Sequence, residues 1–205
     1  MEELELALKE VMSKLGKEIE ARLREFERKR SREEIFLELA FCLLVANYRL
    51  EKALEILEEL GEEITTLDEV GLKKELRRLG YRFWNKRAGY LIEARRRLDE
   101  VIEVVERKRP KEAREWMVKN VKGLGYKEAS HFLRNLGVRD LAILDRHVMR
   151  ILKRYGMTNY DATPPKSEYL RIEQKLRGIA SKLGMDLAEL DLCLFFLATG
   201  KLPKR

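Results

Sequence analysis

The chain has 205 residues, 45% of them hydrophobic and 39% charged, with a formal net charge of +7. That hydrophobic share excludes an intrinsically disordered chain, and the length suits one large domain or two small interleaved ones. No apolar run approaches the roughly 20 residues of a membrane span, and the opening segment MEELELALKE is acidic and amphipathic, unlike a signal peptide, so a soluble cytoplasmic protein is expected.

The whole chain reads as helix, with no alternating strand pattern and no Gly/Ser linker. A first helix covers about residues 2–29. Ser31 followed by Glu34 forms a capping box that opens a second helix, which is apolar on all sides from Ile35 to Val45 and therefore central. A third helix runs from Arg49 to Leu60 and stops at Gly61, and a fourth from Thr66 to Leu79 stops at Gly80. Asn85 to Lys108 reads as one long helix, with Ala88, Leu91, Ile92, Ala94, Leu98, Ile102 and Val105 at helical spacing. Pro110 starts the next helix, which ends near Asn120. Further helices span Lys127 to Leu136, Arg146 to Tyr155, Ser167 to Leu183 and Leu187 to Ala198, with a proline-containing loop over 157–166 and a short basic tail.

Cys42 and Cys193 sit in apolar runs and read as buried free thiols, with a disulfide as the lesser alternative. Together with His131 and His147 they are too few for a four-cysteine iron–sulfur site or a standard zinc finger, so no metal ligand set is expected. One Gln and five Asn among many Lys, Arg and Glu match the usage of a thermophilic prokaryote.

The segment Val121-Lys122-Gly123-Leu124-Gly125-Tyr126-Lys127 joins two helices through a turn with two glycines. Glycine permits positive φ and close backbone approach, and the following helix N-terminus offers N–H groups and a positive dipole end to a phosphate. This is the logic of a helix-hairpin-helix motif over about residues 111–137, although an ordinary helical hairpin shares the turn. Lys127 stands in the first turn of the new helix, where an ammonium opposes the dipole and a neutral, nucleophilic amine is favoured. Asp145, eighteen residues on, precedes a helix as its N-cap, and a carboxylate fixed there can also stabilise developing positive charge on a sugar. His147 lies on the same first turn. The net charge of +7 is compatible with a polyanionic partner.

The hairpin with Lys127, followed by Leu144-Asp145-Arg146-His147, resembles the helix-hairpin-helix DNA glycosylase superfamily. The segment Arg82-Phe83-Trp84-Asn85-Lys86-Arg87-Ala88 and the ending Thr199-Gly200-Lys201 are similar to its archaeal-type 8-oxoguanine DNA glycosylase/AP lyases. The resemblance covers nearly the whole chain. It implies an all-α, two-lobed fold that forms one catalytic unit over 1–205, no required cofactor, and duplex DNA containing 8-oxoguanine as the partner; a monomer is the default expectation. It further implies that Lys127 is the Schiff-base nucleophile, that Asp145 supports its attack, and that Phe83 stacks on the flipped base. Phe195 falls where the family often has Trp, the terminal carboxylate of Arg205 would recognise the lesion, and Asn47 would fill the gap left in the duplex. Gly123, Gly125 and His147 would meet the DNA backbone, and the carbonyls of Lys119, Val121 and Leu124 would be the ones to hold a monovalent or calcium ion. Three other readings share parts of the pattern. A sister glycosylase for another lesion usually carries a four-cysteine cluster, a hairpin that only grips DNA needs neither Lys127 nor Asp145, and a basic helical scaffold touches no DNA.

Overall fold

The computed structural model describes residues 2–203, so Arg205 lies outside the described residues. Twelve helices and no strand occur among the described residues, and none of the helices is long and apolar enough to cross a membrane. The chain divides into two compact units, one formed by the N-terminal helix together with the chain from Leu133 onward, the other by Lys29–Phe132.

The Lys29–Phe132 unit is organised on α2 (Arg32–Val45). Ser31 caps it: its hydroxyl accepts from Glu34 N–H, and Glu34 reaches back to the Ser31 N–H at 2.8 Å. Leu39 through Leu44 are fully buried, so α2 is enclosed on all sides. Each such Leu or Phe contributes roughly 1.5–3 kcal/mol, more than helix propensity could supply. Around α2 pack α3 (Leu50–Leu60), α4 (Glu63–Thr66), α6 (Trp84–Arg96) and α7 (Leu98–Arg107). Helix α5 (Glu69–Arg78) lies on α6, and α8 (Pro110–Asn120) lies on α7.

Two expected helices are redrawn. The helix expected over Thr66–Leu79 begins instead at Glu69 with Asp68 as its cap, because the Asp68 carboxylate accepts from Gly71 N–H at 2.7 Å, and Thr66 ends the short α4. The helix expected over Asn85–Lys108 breaks at Arg97, which closes α6 and opens α7. No Pro or Gly marks that break. It is a tertiary effect, in which α6 packs on α5 and α2 while α7 packs on α8 and α2, and Arg95 donates to the Leu67 carbonyl at 2.8 Å.

In the other unit the enclosed helix is α12 (Leu187–Thr199), opened by a capping box of Asp186 and Glu189. Against it pack α1 (Glu2–Glu27), α10 (Arg146–Arg154) and α11 (Lys166–Leu183). Arg139 ties these ends together, 2.6 Å from Glu27 and 3.2 Å from both Glu20 and Asp186. Both cysteines are free and buried.

Candidate active site

In the Lys29–Phe132 unit, α8 turns through residues 121–125 into α9 (Tyr126–Asn135), whose last residues belong to the other unit. Val121 and Leu124 are buried, while Lys122 and Gly125 face outward, so the turn is anchored by its apolar pair. The two arms are clamped by Arg114, whose guanidinium donates to the Ser130 hydroxyl at 3.1 Å and lies over the Tyr126 ring. Tyr126 in turn donates to Glu115.

The two glycines differ. Gly123 has φ +92°, and a Cβ there would come within 2.6 Å of the Tyr90 ring and 2.8 Å of the Arg87 guanidinium. Only glycine fits. Gly125 lacks a positive φ, and its Cβ would meet only the end of the Glu128 side chain, at 3.0 Å. The Gly125 carbonyl accepts the first helical bond of α9, from Ala129 N–H at 2.9 Å, and its N–H donates to Glu128 at 3.2 Å. Lys127 is therefore the second residue of α9. Its side chain is 16% exposed, and its Nζ lies 3.0 Å from Glu128 Oε1.

Arg87 joins this hairpin to two other segments. Buried on α6, it packs against Gly123, lies over the Tyr90 and Phe83 rings, and donates to the Ala46 carbonyl at 2.9 Å. Phe83 is half-buried at the start of α6, edge-on to Tyr48 and Tyr81, with the Arg82 guanidinium 5.0 Å from its ring centre. Burial pushes the Tyr81 phenol up to about 12, and its hydroxyl donates to the Leu44 carbonyl at 2.7 Å. Next to Ala46, Asn47 is exposed and left-handed, with φ +57°, the one non-glycine residue with positive φ among the described residues. Asn tolerates that conformation better than most residues, and exposed strain of this kind tends to mark functional turns. Ala46, the residue before Asn47, together with Phe83 and Gly123 thus borders one buried guanidinium.

In the unit containing the C-terminal helices, Asp145 is the N-cap of α10. Its Oδ1 accepts from both His147 N–H and Val148 N–H at 2.8 Å, and among the described residues Oδ2 has no hydrogen bond. The approach to Asp145 is buried and fixed from α11: Tyr169 donates to the Ala142 carbonyl at 2.6 Å, and Ala142 N–H donates to Glu173 at 3.0 Å. The His147 ring stands edge-on to Phe195, centroids 5.7 Å apart, and Phe195 is only half-buried. Nearby on α12, burial raises the Asp191 carboxyl to about 7; Arg134 opposes the shift and Asp145 adds to it.

Residues 19–185 match the model of a family described as 8-oxoguanine DNA glycosylase. The chain belongs to that family. It is 47% identical over 197 residues to the 8-oxoguanine DNA glycosylase/AP lyase of Korarchaeum cryptofilum, covering 94% of this chain and 93% of the relative. Two solved structures superpose over nearly full length. The Methanocaldococcus jannaschii 8-oxoguanine glycosylase/lyase, crystallised with a 15mer DNA containing 8-oxoguanine, gives a TM-score of 0.91 at 40% identity and covers 98% of this chain and 99% of that one. The 8-oxoguanine DNA glycosylase of Thermotoga maritima gives 0.90 at 39% identity, with full coverage of both chains.

Within this glycosylase-family chain the all-α class and the helix-hairpin-helix are as the sequence predicts. Sequence reasoning missed three residues beside the expected ones: Arg87 against Gly123, Glu128 against Lys127, and Asp191 near Asp145. Arg87 and Glu128 carry no signal of their own in a chain with so many charges. Asp191 does carry one, a lone acid inside the apolar run Leu190–Phe196.

Proposed function

We propose that the protein flips 8-oxoguanine out of duplex DNA, excises it, and cleaves the strand at the resulting abasic site. The family match along the chain supports this reading, and so do the names of its relatives, 8-oxoguanine DNA glycosylase/AP lyases. The observation that carries the lyase half is the Lys127 amine, nearly buried on the first turn of the hairpin's second helix. An amine that displaces the base at C1′, the base leaving with the bond's electron pair and a proton from the nitrogen, is left as a secondary amine on the sugar; opening of the C1′–O4′ bond with a proton to O4′ gives the imine, and β-elimination from that imine cuts the strand. A water nucleophile would stop at base removal.

The remaining roles are those the family resemblance implies, and the chemistry of the residues supports them. Asp145, with Oδ1 committed to the α10 backbone, offers Oδ2 to the positive charge that develops on the sugar. Phe83 and Phe195 stack on the flipped base, each base–aromatic contact offsetting roughly 1–3 kcal/mol of the flipping penalty. Gly123, Gly125 and His147 meet DNA phosphates, and Asn47 enters the vacated stack. No cofactor is required. A monovalent or calcium ion would be held by the carbonyls of Lys119, Val121 and Leu124. Lys119 lies in the last turn of α8, where carbonyls lack intrahelical donors, whereas the Val121 carbonyl is partly engaged by Leu124 N–H at 3.3 Å. The enzyme works in the cytoplasm on nucleoid DNA.

Borohydride reduction during incubation with an 8-oxoguanine duplex tests the reading. A covalent protein–DNA adduct is expected, and Lys127→Gln abolishes it. Duplex binding without any adduct would reduce the protein to a DNA-gripping module. An adduct with abasic DNA but no release of 8-oxoguanine would assign it another lesion.

A further inference from the structure

We infer that Glu128 accepts the proton that Lys127 must lose before its nitrogen can attack the sugar. This rests on Lys127 being the nucleophile.

Neighbouring side chains on a helix point in different directions and do not normally meet. Glu128 meets Lys127 because it folds back over the start of α9. One carboxylate oxygen, Oε2, accepts from Gly125 N–H at 3.2 Å, and the other, Oε1, lies 3.0 Å from Lys127 Nζ. The carboxylate is thus fixed at both ends, by the hairpin backbone and by the amine. Glycine at 125 contributes, since its Cβ would already press on Oε2 at 3.0 Å. The Glu128 side chain is 13% exposed and that of Lys127 16%, so little water reaches the pair.

The step is a single proton transfer. An N–H bond of the Lys127 ammonium breaks, its electron pair stays on Nζ, and the proton forms an O–H bond at Glu128 Oε1. An ammonium and a carboxylate become a neutral amine and a neutral acid. Removing the remaining water favours the neutral pair, because two desolvated charges cost more than two desolvated dipoles. A duplex seated on the hairpin would do this at the moment the amine is needed. Afterwards the protonated Glu128 holds a proton beside the imine nitrogen, ready to be returned when the imine is hydrolysed.

Single-turnover borohydride trapping on abasic and 8-oxoguanine duplexes tests this, with affinity for a duplex bearing a non-reactive abasic analogue and thermal melting measured alongside. Glu128→Gln keeps an acceptor for Gly125 N–H and should melt near wild type, whereas Glu128→Ala loses the acceptor and melts lower. If Glu128 takes the proton, both variants trap about 100-fold more slowly or worse despite their different stabilities, binding stays within a few-fold, and Glu128→Asp recovers part of the rate. If Glu128 only closes the helix, rates follow melting and Glu128→Gln traps at the wild-type rate or faster, which overturns the inference. Lys127→Gln separates the two readings. Trapping that survives in it removes the nucleophile and this inference together, whereas trapping lost in Lys127→Gln but normal in Glu128→Gln removes the inference alone.

Discussion

Helix α9 starts from a glycine and carries a lysine in its first turn, while α10 starts from Asp145, whose Oδ1 accepts two backbone N–H groups at 2.8 Å. By the rules of helix stability the second arrangement is favourable and the first is not: an N-cap acid stabilises and a first-turn cation opposes the dipole. Asp145 therefore has a structural reason to be where it is, whereas Lys127 sits against the dipole with only its Glu128 contact in return. A residue that the fold does not need is the better marker of chemistry, and a residue that it does need must be tested for a second role.

The sharpest break in this comparison is made at Asp145. Asn caps helices about as well as Asp, so Asp145→Asn should melt near wild type while excision slows by roughly 100- to 10,000-fold, the range for a lost charge-stabilising group. Asp145→Ala should lose the same activity and, in addition, about 1 kcal/mol of stability with the cap. Single-turnover rates set against urea midpoints separate the two contributions. Normal turnover in Asp145→Asn would leave Asp145 as a cap and nothing more.

The hairpin side of the comparison depends on which glycine is altered. At Gly123 an alanine would have to adopt φ +92° and push into Tyr90 and Arg87, so Gly123→Ala should lose roughly 1–3 kcal/mol and weaken duplex binding. At Gly125 the obstacle is the movable end of Glu128, and Gly125→Ala should lose less than about 1 kcal/mol. Equal losses in denaturant titrations would mean that the turn does not rely on Gly123 packing against Arg87.

A pH titration of stability extends the contrast. Lys127 has a carboxylate in direct contact, whereas Asp145 has near it a carboxyl, Asp191, that burial holds up to about 7 from its usual 3.8. Between those two values the folded protein holds a proton on Asp191 that the unfolded chain has released. Stability from this group is therefore complete below pH 3.8 and declines as pH rises to about 7. Asp191→Asn should remove that decline, so its melting temperature should gain on wild type as pH rises from 5 to 8, a range spanning the upper end of the window at about 7. Parallel melting curves across that range would place the Asp191 charge in contact with solvent or fully neutralised by Arg134.

Local chemistry was readable in the sequence, and tertiary geometry was not. Pro110 at the start of α8, the Ser31 box and the Asp145 cap are satisfied within a few residues of themselves, and each stands where the sequence predicts. The break at Arg97 has no residue that breaks helices and depends on two different packing partners for α6 and α7. The same divide runs through the site. Gly123 and Lys127 announce themselves by spacing. Arg87 matters because Ala46, Phe83 and Gly123, far apart in the chain, converge on it, and no pattern of charges along a sequence reveals that convergence.

The smallest effect is expected at Asn47, and it asks of a turn what Asp145 asks of a cap. The backbone there is left-handed, with φ +57°, and the side chain is exposed. Glycine adopts that conformation without strain, so Asn47→Gly should leave the melting temperature within a degree or two of wild type, since surface changes away from special features stay within about 0.5 kcal/mol. Alanine fits φ +57° poorly, and Asn47→Ala should lose about 1 kcal/mol. If Asn47 is held in this conformation to reach into DNA, both variants lose the side chain and should weaken binding to a lesion duplex by a similar few-fold, whatever their stability. If it is there only because Asn tolerates the turn, Asn47→Gly binds as wild type and only Asn47→Ala is impaired, in proportion to its lost stability. Fluorescence anisotropy on the two variants decides between a strained residue kept for its side chain and one kept for its backbone.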